Sequence, residues 1–186
     1  MSTILVPLAE GFEETEAILP IDIWRRAGFH VTVAGLTNGP VRACWHTLHV
    51  PDAPFHDVSD GDYDLIYLPG GQPGANNLAA DPTLGNKIQQ QAQKGKWLAA
   101  ICAAPLVLKK YGLLENKKFT CYPSVCKDLN PPAQSAKKRC VIDGKIITAQ
   151  GPGVALELAI RVTALLGGKE KAQKINSAVL GPSLRF

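Results

Sequence analysis

At 186 residues and 19.9 kDa, the chain has room for one domain of ordinary size, and two would be cramped. Apolar residues make up 46% and charged residues 19%, with 17 Gly and 14 Pro, a composition that excludes disorder, collagen and coiled coil. The net charge of +4 is uneven: residues 1–108 carry 6 basic and 11 acidic side chains, net −5, while 109–186 carry 14 and 5, net +9.

In chain order, Thr3 to Leu8 is a continuous apolar run, the pattern of a strand buried on both faces. Glu13 to Ala27 reads as a helix, with Ala17, Ile18, Ile21 and Trp24 at helical spacing and Gly28 as its stop. Phe29 to Leu36 alternates as a strand does, and Val41 to Val50 suits a small hairpin or edge strand. Asp64 to Leu68 is a buried strand ending at Pro69-Gly70-Gly71. Asp81-Pro82 opens a helix to about Lys94, since Asp is a good N-cap and Pro fits the first turn. Trp97 to Ile101 reads as a strand, Pro105 to Tyr111 as a helix closed by Gly112, and Phe119 to Tyr122 as short and β-like. Residues 124–138 are expected to be loop. Arg139–Ile142 and Lys145–Ala149 flank an Asp143-Gly144 turn, and Val154 to Leu166 and Lys169 to Leu180 are closing helices. Apolar strands alternating with helices predict one three-layer α/β domain over residues 1–186, with a mostly parallel sheet covered on both faces.

No apolar run approaches the ~20 residues that span a bilayer, and Met1-Ser2-Thr3 lacks a basic leader, so neither a membrane span nor a secretory signal is expected. Five cysteines, an odd count without regular spacing, favour reduced thiols in the cytoplasm over a disulfide framework. The basic residues of the second half lack interleaved aromatics, so they read as a solvated face rather than a nucleic-acid surface.

Ligands of open parallel sheets bind beyond the carboxyl ends of the strands. Three such ends carry special residues: Leu68-Pro69-Gly70-Gly71, Ile101-Cys102-Ala103-Ala104-Pro105 and Gln150-Gly151-Pro152-Gly153. A Cys at a sharp strand-to-helix turn, flanked by alanines, has the setting of a nucleophile elbow, where the helix N-terminus favours thiolate. Gly70-Gly71 can bring backbone N–H groups close to a reacting oxygen, with the Ala103 amide as the other half of the hole. The competing reading of Cys102 is an inert buried thiol, since free Cys is among the most buried residue types. Cys121, Cys126 and Cys140 form no metal-ligand pattern, lacking a CxxC pair and a nearby His.

All four histidines, His30, His46, His49 and His56, precede Cys102. That removes the late His-x-Glu of a glutamine amidotransferase and the Cys-then-His order of papain-type peptidases. The thiol's partner is then an early His or an acid. Glu10, Glu13, Glu14 and Glu16 cluster after the first strand, where acids are also ordinary helix-start residues. Helical spacing does not choose among them. A nucleotide site would need a Gly-rich phosphate loop here, and Ala9-Glu10-Gly11-Phe12-Glu13 is acidic.

Glu13-Glu14-x-Glu16 before a helix ending Arg25-Arg26-Ala27-Gly28, Leu-Pro-Gly-Gly at 68–71, Ala-Ala-Ile-Cys-Ala-Ala-Pro at 99–105 and Gly-Pro-Gly at 151–153 together resemble the ThiJ/PfpI superfamily. Within it the chain is most similar to the branch of the parkinsonism-associated deglycase and bacterial ThiJ-like proteins. The resemblance implies a flavodoxin-like sandwich, a homodimer, a reactive Cys102 hydrogen-bonded to Glu16, and a site lined by the Gly71 and Ala103 amides. It implies glutathione-independent glyoxalase or deglycase chemistry on reactive carbonyls such as methylglyoxal, with no cofactor or metal. Two negative charges at ~3 Å repel, so Glu16 is expected to keep its proton while the thiol pKa falls. Two positions depart from the family. Tyr122, in Cys121-Tyr122-Pro123, stands where relatives often carry His before Pro, and Ala43-Cys44-Trp45-His46 replaces a segment that often carries Arg. A different class of function stays open beside the enzyme: a redox-responsive protective or chaperone-like protein whose Cys102 is oxidised to sulfinate.

Overall fold

The computed structural model describes residues 1–184. Strand β1 (Thr3–Leu8) leads through helix α1 (Glu14–Arg26) to β2 (His30–Gly35). A separate antiparallel hairpin follows, β3 (Val41–Arg42) with β4 (Leu48–His49), then β5 (Ala53–Pro54) and α2 (Phe55–Val58). The chain continues through β6 (Leu65–Leu68), α3 (Gly74–Ala80), α4 (Pro82–Gln93), β7 (Trp97–Ile101) and α5 (Pro105–Lys110). Short helical turns α6 (Cys126–Leu129) and α7 (Ala133–Ala136) precede β8 (Cys140–Asp143), β9 (Ile146–Ala149), α8 (Ala155–Gly167) and α9 (Lys169–Ala178).

Seven strands form one sheet in the order β5-β2-β1-β6-β7-β9-β8, parallel throughout except where β8 pairs antiparallel with β9. Alternate residues of each strand enter opposite cores. Ile4, Val6, Leu8, Tyr67 and Ile101 pack with Trp24 of α1 and Leu158 of α8. Leu5, Ile66, Leu68 and Ala100 pack with Leu84 and Ile88 of α4 and Val107 of α5. With both faces covered, β1, β6 and β7 have no reason to alternate apolar and polar, and they do not; β2 alternates only over its first half, where His30 and Thr32 interrupt the apolar residues. The expected three-layer, flavodoxin-like α/β architecture is what forms.

Local chemistry sets the helix positions. The Asp81 carboxylate accepts from the Leu84 amide at 2.7 Å and caps α4, with Pro82 at the first helical position. The Trp24 indole donates to the Ala159 carbonyl at 3.0 Å and meets Tyr67 edge-on, ring centroids 5.0 Å apart, locking α1 to α8 and the sheet.

Three expectations need correction. Phe119–Tyr122 forms no strand; the Thr120 amide donates to the Thr148 hydroxyl at 2.9 Å instead of joining a backbone ladder. Residues 124–138 contain α6 and α7 rather than loop alone. Helix α3 went unforeseen, because Gly74-Ala75-Asn76-Asn77 is poor helix-forming sequence. Burial of Leu78 and Ala79 in the second core, and of Ala75 beside them, holds it.

The strand order reverses at β1. The chain runs outward to β2 and β5, then returns to place β6 on the other side. The loops beyond the carboxyl ends of β1 and β6 therefore part at a topological switch point, the usual place for a ligand in such sheets.

Candidate active site

The four early acids separate clearly. Glu10 is exposed and accepts from the Arg42 amide. Glu13 is the N-cap of α1, its carboxylate accepting from the Glu16 amide at 2.7 Å, and its own amide donates to the Gly70 carbonyl at 3.0 Å. Glu14 accepts from the Trp45 amide at 3.0 Å and the Thr47 hydroxyl at 2.9 Å, fixing the tip of the β3–β4 hairpin. Glu16 alone is fully buried, and its Oε2 accepts from the Gly70 amide at 3.0 Å.

Pro20 explains how Glu16 is held. It sits inside α1 four residues after Glu16 and has no N–H to offer the Glu16 carbonyl. The Tyr67 hydroxyl of β6 donates to that carbonyl at 2.5 Å. A helix defect is thus repaired by a side chain of the sheet, which ties the acid's backbone to the strand carrying Gly70 and Gly71.

Cys102 follows β7 with φ +62°, the left-handed conformation that side-chain-bearing residues avoid unless the surroundings impose it. Its amide donates to the Ala149 carbonyl and its carbonyl accepts from the Tyr122 amide, both at 2.9 Å. The elbow is fixed from both sides. The Gly71 and Ala103 amides hydrogen-bond toward the sulfur, and the Glu16 carboxyl reaches it as a hydrogen-bond partner. Gly70 must be glycine: a Cβ there would lie 2.5 Å from Glu16 Oε2 and 2.6 Å from the Cys102 Cβ. The third strand end closes the site. A Cβ on Gly151 would be 3.0 Å from the Tyr122 ring and 3.8 Å from Glu16 Oε1. Glu16 Oε1 is buried with no hydrogen-bond partner among the described residues, an open acceptor or proton-carrying position facing the site. Tyr122 stands partly exposed at the rim.

Burial raises the Glu16 carboxyl to about 8; the Cys102 hydrogen bond opposes the shift, the Glu13 charge adds to it, and the Gly70 amide opposes it. The proton is therefore retained at neutral pH. The thiol does not follow the expectation. Burial, reinforced by the Glu16 charge and hydrogen bond, pushes Cys102 up to about 12 against the pull of the Gly71 and Ala103 amides. Two amides and the short helix α5 do not outweigh desolvation beside a carboxyl. The two groups titrate as a unit, and one proton leaves the pair near pH 8. That proton comes from Glu16, whose carboxylate the Gly70 amide stabilises, while the Gly71 and Ala103 amides stabilise the thiolate formed when the carboxylate takes the thiol proton.

The other thiols make no hydrogen bond to the pair among the described residues, although Cys121 is near enough for the Cys102 charge to help raise it. Cys44 donates to Glu14 Oε2 at 3.6 Å, and burial followed by the Glu14 charge raises it to about 11. Cys140 is raised to about 12 by burial. Cys121 and Cys126 touch each other. Among the described residues no group of three or more His, Cys, Asp or Glu side chains could hold a metal ion. Nor is any helix among them long and apolar enough to cross a membrane. An open surface cavity of about 850 Å³ lies elsewhere, lined in part by Lys109, Lys117, Lys118 and Phe119, with no Cys, Ser or His in its lining among the described residues.

Residues 2–165 match the DJ-1/PfpI family. The chain belongs to that family. DJ-1 homolog B of Arabidopsis thaliana is 41% identical over 179 residues, covering 95% of this chain but only 41% of that longer protein. The glutathione-independent glyoxalase DJR-1.2 of Caenorhabditis elegans is 34% identical over 173 residues, 92% of this chain and 91% of that one. The structure of oxidised Toxoplasma gondii DJ-1 superposes with a TM-score of 0.93 at 35% identity, covering 98% of this chain and all of the other.

Proposed function

We propose that the chain is a cofactor-independent enzyme acting on reactive carbonyls, of glyoxalase or deglycase type, with Cys102 as nucleophile and Glu16 as proton carrier. One observation carries this reading: a buried carboxyl with an open Oε1 and a pKa near 8 stands against an elbow thiol faced by two amide donors. The relative named as a glutathione-independent glyoxalase supports the same chemistry.

With methylglyoxal, ionised Glu16 takes the thiol proton as sulfur bonds to the aldehyde carbon. The oxyanion forms in reach of the Gly71 and Ala103 amides, and Glu16 returns the proton to give a hemithioacetal. Glu16 then removes the hydrogen from that carbon as a proton. Glu16 returns that proton to the neighbouring carbon while the hydroxyl proton passes to the neighbouring oxygen, turning the enediolate into a lactoyl thioester. Water cleaves the thioester to lactate and regenerates the thiol, so methylglyoxal and one water are consumed per lactate. Because the working base is the ionised form of the pair, the rate rises with pH through about 8.

Purified protein is incubated with methylglyoxal, without glutathione and with a chelator, and lactate is measured. Turnover in the wild type and none in Cys102→Ala supports the proposal; equal rates in both remove it.

Glu16 also favours a second reading, because a protonated carboxyl can donate a hydrogen bond to a Cys102 sulfinate, and the oxidised relative supports a redox role. Two added oxygens on Cys102 after peroxide, in lower yield in Glu16→Gln, are its signature. The proposal treats residues 1–186 as one cytoplasmic domain that forms a homodimer. Trp45, Leu48 and Val50, exposed on and beside the β3–β4 hairpin, give such an interface apolar surface.

A further inference from the structure

Cys121 and Cys126 lie five residues apart with their sulfurs 3.2 Å from each other, close enough to share a hydrogen bond. The turn between them is well determined. The Val125 amide donates to the Tyr122 carbonyl at 3.0 Å, and the Cys126 thiol approaches the same carbonyl at 3.6 Å. At the far end, the Asn130 amide donates to the Cys126 carbonyl at 2.7 Å. On the near side, Thr120 is anchored by its amide to the Thr148 hydroxyl and by its hydroxyl to the Ala136 carbonyl. The two thiols differ in access. Cys121 is fully buried, while Cys126 is reached by solvent.

We propose that Cys121 and Cys126 are a dithiol that a hydroperoxide converts reversibly to a disulfide, a modification site distinct from Cys102. Cys126, the accessible sulfur, attacks a peroxide oxygen as thiolate. The S–O bond forms, the O–O bond breaks, and the departing hydroxide leaves as water. The Cys121 sulfur then attacks the Cys126 sulfur, forming the S–S bond and releasing the sulfenic oxygen as a second water with the Cys121 proton. Two thiols give up two electrons and the peroxide accepts them. Burial of Cys121, whose thiol is raised to about 12 chiefly by desolvation, suits it to the second step, since solvent oxidant does not reach it directly. The bond would close around Tyr122, which lies between the two cysteines and whose amide holds the Cys102 carbonyl.

One tryptic peptide, residues 119–127, carries both cysteines and lets the pair be tested in the intact protein. The wild type is treated with stoichiometric hydrogen peroxide, denatured in N-ethylmaleimide, digested and weighed. The expected peptide has lost two hydrogens and carries no maleimide, and dithiothreitol given before the maleimide restores two labels. In Cys126→Ser, peroxide should leave Cys121 with its full single label. Two labels on the wild-type peptide after peroxide, added oxygens on Cys126 in place of the bond, or an unlabelled Cys121 in Cys126→Ser would each overturn the proposal. The wild-type result stands without the variant should that variant fold poorly, and none of these readouts depends on carbonyl turnover.

Discussion

Replacing Glu16 with Gln should change how stability depends on pH. The carboxyl titrates near 4.5 when unfolded and near 8 in the folded chain, so its folded pKa is raised. A raised pKa gives a contribution that is whole below the unfolded value and is lost as pH climbs through the folded one. Between about pH 4.5 and 8 the unfolded chain releases this proton while the native state keeps it, and native stability falls by ~1.4 kcal/mol per pH unit from this group. Over the whole interval the loss is roughly 5 kcal/mol at its upper end. Gln does not titrate and keeps the side chain's shape, so the variant lacks this slope. Urea unfolding of both proteins at pH 5, 6, 7 and 8 measures it. The stability difference should shift steadily toward the variant as pH rises and level off above about 8. Parallel stability curves across that range would show that Glu16 ionises as freely in the fold as outside it, and the proton-carrier role would fall with that result.

Gly70→Ala places a methyl 2.5 Å from Glu16 Oε2 and 2.6 Å from the Cys102 Cβ, so it should cost ~1–3 kcal/mol by overpacking and abolish carbonyl turnover; unchanged turnover would contradict the packing around the pair. Tyr67→Phe removes the donor to the Glu16 carbonyl and should cost ~1–3 kcal/mol, since Pro20 leaves that buried oxygen no alternative. Adding Pro20→Ala restores a backbone N–H and should recover part of that loss in unfolding experiments; no recovery would disprove the repair of α1 by Tyr67. Tyr122→His puts a titratable base at the rim, near Gly151 and Glu16 Oε1, and should raise the rate of lactate formation. A further drop in rate would count against this rim position as a place for a catalytic base.

Much of the candidate site was visible in the residues because strand ends announce themselves. Leu68-Pro69-Gly70-Gly71 and Ile101-Cys102-Ala103 each end a short apolar run, and parallel topology forces such ends to one edge of the sheet. Selecting Glu16 from four acids took more than spacing. Glu13 and Glu14 are equally helix-terminal; the family resemblance implies Glu16, and the packing of α1 against β6 is what turns that carboxyl inward. The Tyr67 contact did leave a trace, since a proline in mid-helix marks the carbonyl four residues earlier as needing a foreign donor. The direction of the Cys102 shift was misjudged because a turn pattern signals a helix dipole but says nothing about depth of burial. Helix α3 was hidden for a related reason: tertiary burial of Leu78 and its neighbours overrides weak local propensity. The Cys121–Cys126 contact is local, closed by the turn after Tyr122, but a separation of five residues does not by itself specify that turn.

The most direct test is to find the carbon–sulfur bond itself. During methylglyoxal turnover at pH 8 the reaction is quenched with acid and the 97–109 tryptic peptide, which contains Cys102, is weighed and fragmented. The expected result is an adduct with the mass of methylglyoxal on Cys102, lost as lactate accumulates and missing from Glu16→Gln at the same pH. Lactate formation with Cys102 unmodified throughout, or with the adduct on Cys44 or Cys126 instead, would contradict Cys102 as the nucleophile.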